Sequence, residues 1–241
     1  MKGGIVFALD AEEYGLRRVL SQSETQMRRS KHQLFWFLGR LELVVEVSGP
    51  GCDACARSVQ TLIESGAEWI ICAGFAAALD DCAQVGDIVI PDKILFDDIN
   101  HKPLTCSEEL ISAIPPSGSF GYSIWKCSLI TSDSVIYNAS EKKEIYRATG
   151  AAALDMESYG AARVCIRNGV PFASIRVISD TANQDLPVEV DVLSKMNKWN
   201  QLLFTMSHPH IWPELWRLRL QADVASNNLG DVMGLMLLRL I

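Results

Sequence analysis

The sequence has no apolar run approaching the roughly 20 residues that span a bilayer, so no membrane-spanning helix is expected. It carries neither a Walker-type phosphate loop nor a nucleophile elbow, which removes the usual sequence signatures of nucleoside triphosphatases and serine hydrolases. Histidine is scarce: His32, His101, His208 and His210 are the four, and none stands at metal-ligand spacing with nearby carboxylates. They read as surface or loop residues, and no metal is expected. Basic residues are outnumbered, 22 Lys and Arg against 29 Asp and Glu, for a formal net charge of −7. Nucleic acid and anionic membrane surfaces both favour basic patches, so a small ligand is the expected partner instead.

The seven cysteines (Cys52, Cys55, Cys72, Cys82, Cys106, Cys127 and Cys165) are odd in number and lack the spacing of a secreted disulfide framework. The N-terminus, Met1 to Asp10, meets acid before its apolar stretch is long enough for a signal peptide. Reducing cytoplasm is the expected compartment. With 49% hydrophobic residues, the 241-residue chain can bury a core without covalent staples.

Short apolar runs alternate with helical spacing. Gly4 to Leu9, Phe35 to Leu38, Leu41 to Val47, Trp69 to Ala73, Gly86 to Pro91, Ser128 to Thr131 and Phe172 to Ile178 read as strands. Ala11 to Ser21, Ala54 to Glu64, Ser140 to Thr149 and Ser158 to Asn168 read as helices, with Ser140 as an N-cap and Gly150 as a stop. Gly74 to Leu79 reads as a small-residue loop, and 97–119 as surface loop with a short helix. Trp199 to Met206 and Pro213 to Asn227 are further helical candidates, followed by an apolar tail from Val232 to Ile241. Trp212, Trp216, Leu218 and Leu220 are expected in the core or at a subunit contact. No internal repeat or domain boundary is visible, so residues 1–241 form one domain. The class is α/β, a three-layer sandwich about a central mixed twisted sheet.

Two motifs mislead. Gly49-Pro50-Gly51-Cys52-Asp53-Ala54 has dinucleotide-fingerprint spacing, but Pro50 stiffens it and Glu68 precedes the next strand instead of capping its end. It reads as a plain strand-to-helix turn. Cys52-x-x-Cys55 has no second half for a zinc site and reads as two small residues at a helix start.

Three acids stand where strands end: Glu12 after the first strand, Glu157 opening a helix, and Asp180 after the strand Phe172 to Ile178. Open α/β sheets place ligands at such ends. Taken singly, Glu12 and Glu157 are also ordinary first-turn acids, and Asp180 an ordinary cap.

Together with their surroundings they resemble a family. Ala8-Leu9-Asp10-Ala11-Glu12-Glu13, Ser48-Gly49-Pro50-Gly51, Gly74 to Leu79 with Val85-Gly86-Asp87-Ile88-Val89, Asp155-Met156-Glu157-Ser158, and Arg176 to Ala182 occur in the order found in the purine nucleoside phosphorylase/uridine phosphorylase superfamily. The nearest branch is the methylthioadenosine/S-adenosylhomocysteine nucleosidases. The resemblance runs from residue 1 to about 190, and 190–241 is a divergent helical extension.

That resemblance implies cleavage of the N-glycosidic bond of an adenosine-type nucleoside through an oxocarbenium-like transition state, with no cofactor. By resemblance, Asp180 is the general acid toward purine N7, kept protonated by partial burial, and Ser179 orients it. Glu157 takes the ribose hydroxyls, Met156 forms an apolar floor, and Glu12 is the general base on water. Val135 and Ile136 fall at the base edge and Ala76 in the glycine-loop block, while Arg176 is either near the ligand or in a structural ion pair. Phe75 occupies a position where the family has a small or hydroxyl residue, and Ala77 and Ala78 replace glycines. Asp10 to Tyr14 holds no arginine, and Cys72 and Ala73 precede Gly74, which disfavours phosphate as nucleophile. A homodimer is implied. A phosphorylase, a nucleosidase for futalosine or a hopanoid-linked adenosine, and a silent nucleoside-binding protein remain alternatives.

Overall fold

The computed structural model describes residues 1–22, 26–30, 33–98, 100–116, 118, 120–187 and 212–240. In chain order the elements are β1 (Lys2–Phe7), α1 (Asp10–Ser21), β2 (Gln26–Ser30), β3 (Gln33–Leu38), β4 (Leu41–Val47), α2 (Cys52–Glu64), β5 (Trp69–Ala78), β6 (Ile88–Phe96), α3 (Glu108–Ser112), β7 (Ile124–Thr131), α4 (Ala139–Thr149), β8 (Ala153–Asp155), α5 (Ser158–Asn168), β9 (Phe172–Asp180) and α6 (Trp212–Leu240).

The strands form one mixed sheet in the order β2-β3-β4-β1-β5-β8-β7-β6-β9, with β5 also paired to β9. β4, β1, β5 and β9 run parallel, as do β6, β7 and β8 among themselves. The two sets meet antiparallel at β5–β8 and β6–β9. The extra β5–β9 pairing closes five strands on themselves, so half of the expected central sheet is curled into a barrel-like ring.

Strand periodicity sorts side chains into two cores. Ile5, Phe7, Ile71, Ala73, Ile175 and Val177 pack with Leu16 and Leu20 of α1 and with Leu229, Val232, Met233 and Met236 of α6. Val6, Ile70 and Cys72 face the other way, onto Val59 and Leu62 of α2 and Ala161, Ala162 and Cys165 of α5. Burial on both faces is why the central strands read as unbroken apolar runs.

Helix α6 lies close against α1. A Cβ on Gly15 would stand 1.8 Å from the Ser226 carbonyl oxygen, and one on Gly230 2.3 Å from the Gly15 carbonyl carbon. The Gly15 N–H donates to Ser226 Oγ at 2.9 Å.

Several expectations need correction. The small-residue loop is strand: β5 continues to Ala78, because Gly74 to Ala76 pair with Arg176 to Ile178 and Ala77 and Ala78 pair with Leu154 and Ala153. Neighbours on both sides satisfy a backbone whose side chains carry little strand preference. The Pro213 helix and the apolar tail are one continuous helix. Its buried stripe begins at Ala225, so Trp216 and Leu220 are 63% and 51% exposed and lie outside the core of this chain. Ser140 sits inside α4, which starts after Asn138; Gly150 does stop it, in the left-handed region at φ 68°. The sequence reading had no counterpart of β2, which pairs with β3 at the sheet edge. The Trp199–Met206 helix, the packing of Trp212 and the surroundings of His32, His208 and His210 lie outside the described residues.

Candidate active site

A cavity of about 240 Å³ opens where β1, β5, β8 and β9 end, lined by Glu12, Phe75, Val135, Met156, Glu157 and Asp180 among others. Ala76, Ile136, Ser179 and Asp155 also face it. A single irregularity aims two of these side chains. Ala76 pairs with Ile178 but Ala77 pairs with Asp180, so Ser179 is an extra residue on β9. A bulge of this kind redirects side chains, here bringing the adjacent Ser179 and Asp180 to the same cavity.

Glu12 is 3% exposed on the first turn of α1. Its Oε2 accepts the N–H groups of Ala8 and Leu9, each at 2.8 Å, and its Oε1 accepts that of Phe75 at 2.8 Å. Glu12 is thus a first-turn acid whose side chain also lines the cavity. Burial pushes the Glu12 carboxyl above the usual range, against the attraction of Arg176 and the three N–H groups.

Glu157 sits at the N-cap position of α5, where Oε1 accepts the Gly51 N–H at 2.9 Å and Oε2 faces Arg176 Nη1 at 3.3 Å. The turn that imitates a dinucleotide fingerprint thus supplies a backbone donor to the site. Burial raises Glu157 to about 7, with Arg176 opposing and the charges of Asp155 and Glu12 adding to the rise.

Arg176 is fully buried behind the wall and does not line the cavity. Its Nη2 pairs with Asp155 Oδ2 at 2.6 Å and reaches Cys72 Sγ at 2.9 Å. Of the two readings of Arg176, the ion pair is the one observed. Gly74 makes room for this cluster: a Cβ there would stand 2.6 Å from Glu12 Oε1 and 2.8 Å from Arg176 Nη1. Three carboxylates, from Glu12, Asp155 and Glu157, surround one guanidinium.

The opposite wall is built differently. Asp180 Oδ1 accepts from Ser179 Oγ at 2.7 Å, and Oδ2 takes Lys142 Nζ of α4 at 2.5 Å. Both Lys142 and Asp180 are buried. Partial burial was expected to govern Asp180; a buried ammonium pressed against it means that charge pairing acts there as well. Sequence reasoning missed Lys142, because Ser140-Glu141-Lys142-Lys143-Glu144 reads as a solvated helix face. It also left Asp155 without a role, although Asp155 stands beside Met156 and Glu157 in one block.

No cationic side chain is among the described residues lining this cavity. A larger cavity of about 610 Å³ lies beside it, sharing Pro50 and lined by Arg57, His101, Tyr159 and Arg163. The buried carboxylates converge on the smaller one. Cys55 packs against Cys72, the two Sγ atoms 3.7 Å apart in a thiol–thiol hydrogen bond with no disulfide between them. Among the described residues no helix is long and apolar enough to cross a membrane, and no group of three metal-ligating side chains occurs.

Comparison with known proteins bears on the family and the fold. The phosphorylase superfamily profile matches residues 4–204. A 5′-methylthioadenosine/S-adenosylhomocysteine nucleosidase from Staphylococcus aureus strain bovine RF122 / ET3-1 is 30% identical over 206 residues, covering 78% of this chain and 90% of the relative. The same-named nucleosidase from Streptococcus pneumoniae, solved with a transition-state inhibitor, superposes with a TM-score of 0.76 at 21% identity, covering both chains completely. A futalosine hydrolase from Helicobacter pylori also reaches 0.76, at 16% identity over 98% of this chain and 97% of its own. The fold, the order of its blocks and the profile match place this chain in the phosphorylase superfamily.

Proposed function

We propose that this protein hydrolyses the N-glycosidic bond of an adenosine-type nucleoside and releases the free purine. One observation carries the reading: Glu12, Glu157 and Asp180, from distant parts of the chain, meet in one cavity with Met156 and Ser179 between them. As the C1′–N9 bond breaks, its electron pair enters the base and the ribose becomes cationic. Asp180 gives a proton to N7, so the base departs neutral. The charge of Glu157, beside the ribose hydroxyls, favours the cation. Water bonds to C1′ and yields a proton to Glu12, which burial has made a better base for neutral pH. Solvent then carries that proton back to Asp180.

Hydrolysis is preferred to phosphorolysis on electrostatic grounds. A phosphate nucleophile needs cationic donors, whereas the described lining offers carboxylates and apolar groups. Incubation with methylthioadenosine, with and without phosphate, tests the reading. Adenine plus methylthioribose, indifferent to phosphate, is expected; a sugar 1-phosphate formed only with phosphate would overturn hydrolysis. Binding without release would identify a silent nucleoside-binding protein. Release from other purine nucleosides alone would reassign the substrate, with the Phe75 ring at the cavity wall as the first group to change.

The reading extends to a homodimer in reducing cytoplasm. The apolar stripe of Trp216, Leu220 and Val224 on α6 supports the first, and seven unpaired cysteines support the second. Sedimentation at micromolar concentration tests the dimer.

A further inference from the structure

The mechanism above makes no use of Lys142, yet its side chain is fully buried. An ammonium has three N–H groups, and three acceptors stand around this one: Asp180 Oδ2 at 2.5 Å, and the carbonyl oxygens of Thr181 and Gln184 at 3.0 Å each. Three acceptors are satisfied only by the cationic form. Three oxygen acceptors hold the buried ammonium, and its charge is fully compensated in the state in which Asp180 is a carboxylate.

The other oxygen of Asp180 has a different partner. Ser179 has one hydroxyl proton and two acceptors within reach, Asp180 Oδ1 at 2.7 Å and the Ala76 carbonyl at 3.3 Å. When Oδ1 is bare, Ser179 donates to it. When Oδ1 carries a proton, Ser179 turns its own toward Ala76 and accepts. The two oxygens are therefore inequivalent: Oδ2 is held by a fixed cation, and Oδ1 by a partner that tolerates either state.

We propose that Lys142 is the positioning residue of the general acid: it pins Oδ2, assigns the transferable proton to Oδ1, and neutralises the carboxylate left when that proton departs. The proposal rests on Asp180 protonating the departing base. In that step the O–H bond at Oδ1 breaks and an N–H bond forms on the purine, while the C1′–N9 pair passes into the base. Asp180 is left as a carboxylate, and the ammonium that keeps its three protons neutralises it. Lys142 thus stabilises the charge that appears as the base leaves, without touching substrate.

The test compares pH profiles of kcat and kcat/KM for the wild type, Lys142→Met and Lys142→Arg. The charged groups around Asp180 are Lys142 from α4 and, across the cavity, Glu12 of α1, Asp155 of β8 and Glu157 before α5 with Arg176 behind them. In Lys142→Met the basic limb should move up by about one pH unit or more, because the cation that stabilises the carboxylate left by proton transfer is gone. The plateau of kcat should fall about 10- to 100-fold, with KM changed far less. The acid limb, set by the carboxylates near Arg176, should stay in place. Lys142→Arg should return the basic limb to its wild-type position.

A Lys142→Met profile that superimposes on wild type after scaling would overturn the proposal and leave Lys142 a packing residue. If Lys142→Met does not fold, Lys142→Gln carries the same readout. If neither folds, a basic limb displaced in Lys142→Arg, which keeps the charge, overturns it. A wild type that releases no base from any nucleoside refutes the activity itself. An active wild type with an inactive Asp180→Asn and an unmoved Lys142→Met limb refutes only the role of Lys142.

Discussion

The two walls of the cavity solve the same electrostatic problem in opposite ways. On one side, Arg176 faces the carboxylates of Asp155 and Glu157, with Glu12 close by, so negative groups outnumber the cation. On the other, Lys142 faces Asp180 one to one. Burial, with the neighbouring acids adding to it, raises Glu157 to about 7, and in the proposed reaction the negative charge of this wall, where ionised, favours a developing ribose cation. In the proposed reaction, balanced charge suits a wall that gives up a proton to the base and ends neutral. Burial raises Glu12 and Glu157 first, and the cations and acids around them then oppose or add to that rise.

Breaking the balanced wall should have the largest effect. Asp180→Asn should lower kcat/KM about 10²- to 10⁴-fold while nucleoside binding survives in calorimetry. It should also destabilise the protein by about 3–5 kcal/mol, because Lys142 is left as an uncompensated buried charge. Adding Lys142→Met should return part of that stability, read as a melting temperature above that of Asp180→Asn alone.

Thinning the acidic wall comes next. Glu12→Gln should lose hydrolysis by a similar 10²- to 10⁴-fold. One amide oxygen cannot accept on both sides, so some of the N–H groups of Ala8, Leu9 and Phe75 lose their partner, at about 1–3 kcal/mol. Unchanged turnover in a destabilised variant would reduce Glu12 to a helix-start acid.

Glu157 gives the pH test. Its ordinary value of 4.5 rises to about 7, so between those values the folded state holds a proton that the unfolded state has released. Its contribution to stability therefore falls as pH rises through that window, on the order of 3 kcal/mol in all, and is constant above it. Glu157→Gln lacks this loss, so its melting temperature should gain on wild type from pH 4.5 to 7. A constant difference across the window would mean that Glu157 is not held protonated. The smallest effect is expected at Phe75→Ser, which touches neither wall's charges: wider tolerance of 5′ substituents, measured across a nucleoside panel. An identical profile would show the ring to be irrelevant to selection.

How much of this was legible depended on what a residue's immediate neighbours reveal. β4 and α5 were read to the residue, because Leu41 to Val47 is a short apolar run rich in valine and leucine and Ser158 to Asn168 ends at Gly169. The acids Glu12, Glu157 and Asp180 stood out because strand ends are exposed to local pattern reading. Gly74 to Ala78 did not, since what makes it strand is pairing with β8 and β9, some 75 to 100 residues away. Lys142 was hidden for the same reason. Lys142 stands in the charged run Glu141 to Glu144 of its helix, and only the ring closed by β9 brings Asp180 to it.

That closure also fixes when the site can exist. β9 is the last described strand in the chain and pairs with both β5 and β6, carrying Arg176 and Asp180 with it. A chain emerging from the ribosome presents Glu12, Asp155 and Glu157 before their guanidinium, and Lys142 before its carboxylate. Premature termination anywhere ahead of residue 176 leaves acids without a cation and an open ring without its seam. Products truncated there lack Arg176 and Asp180, and the core over α1 is completed only when α6 follows.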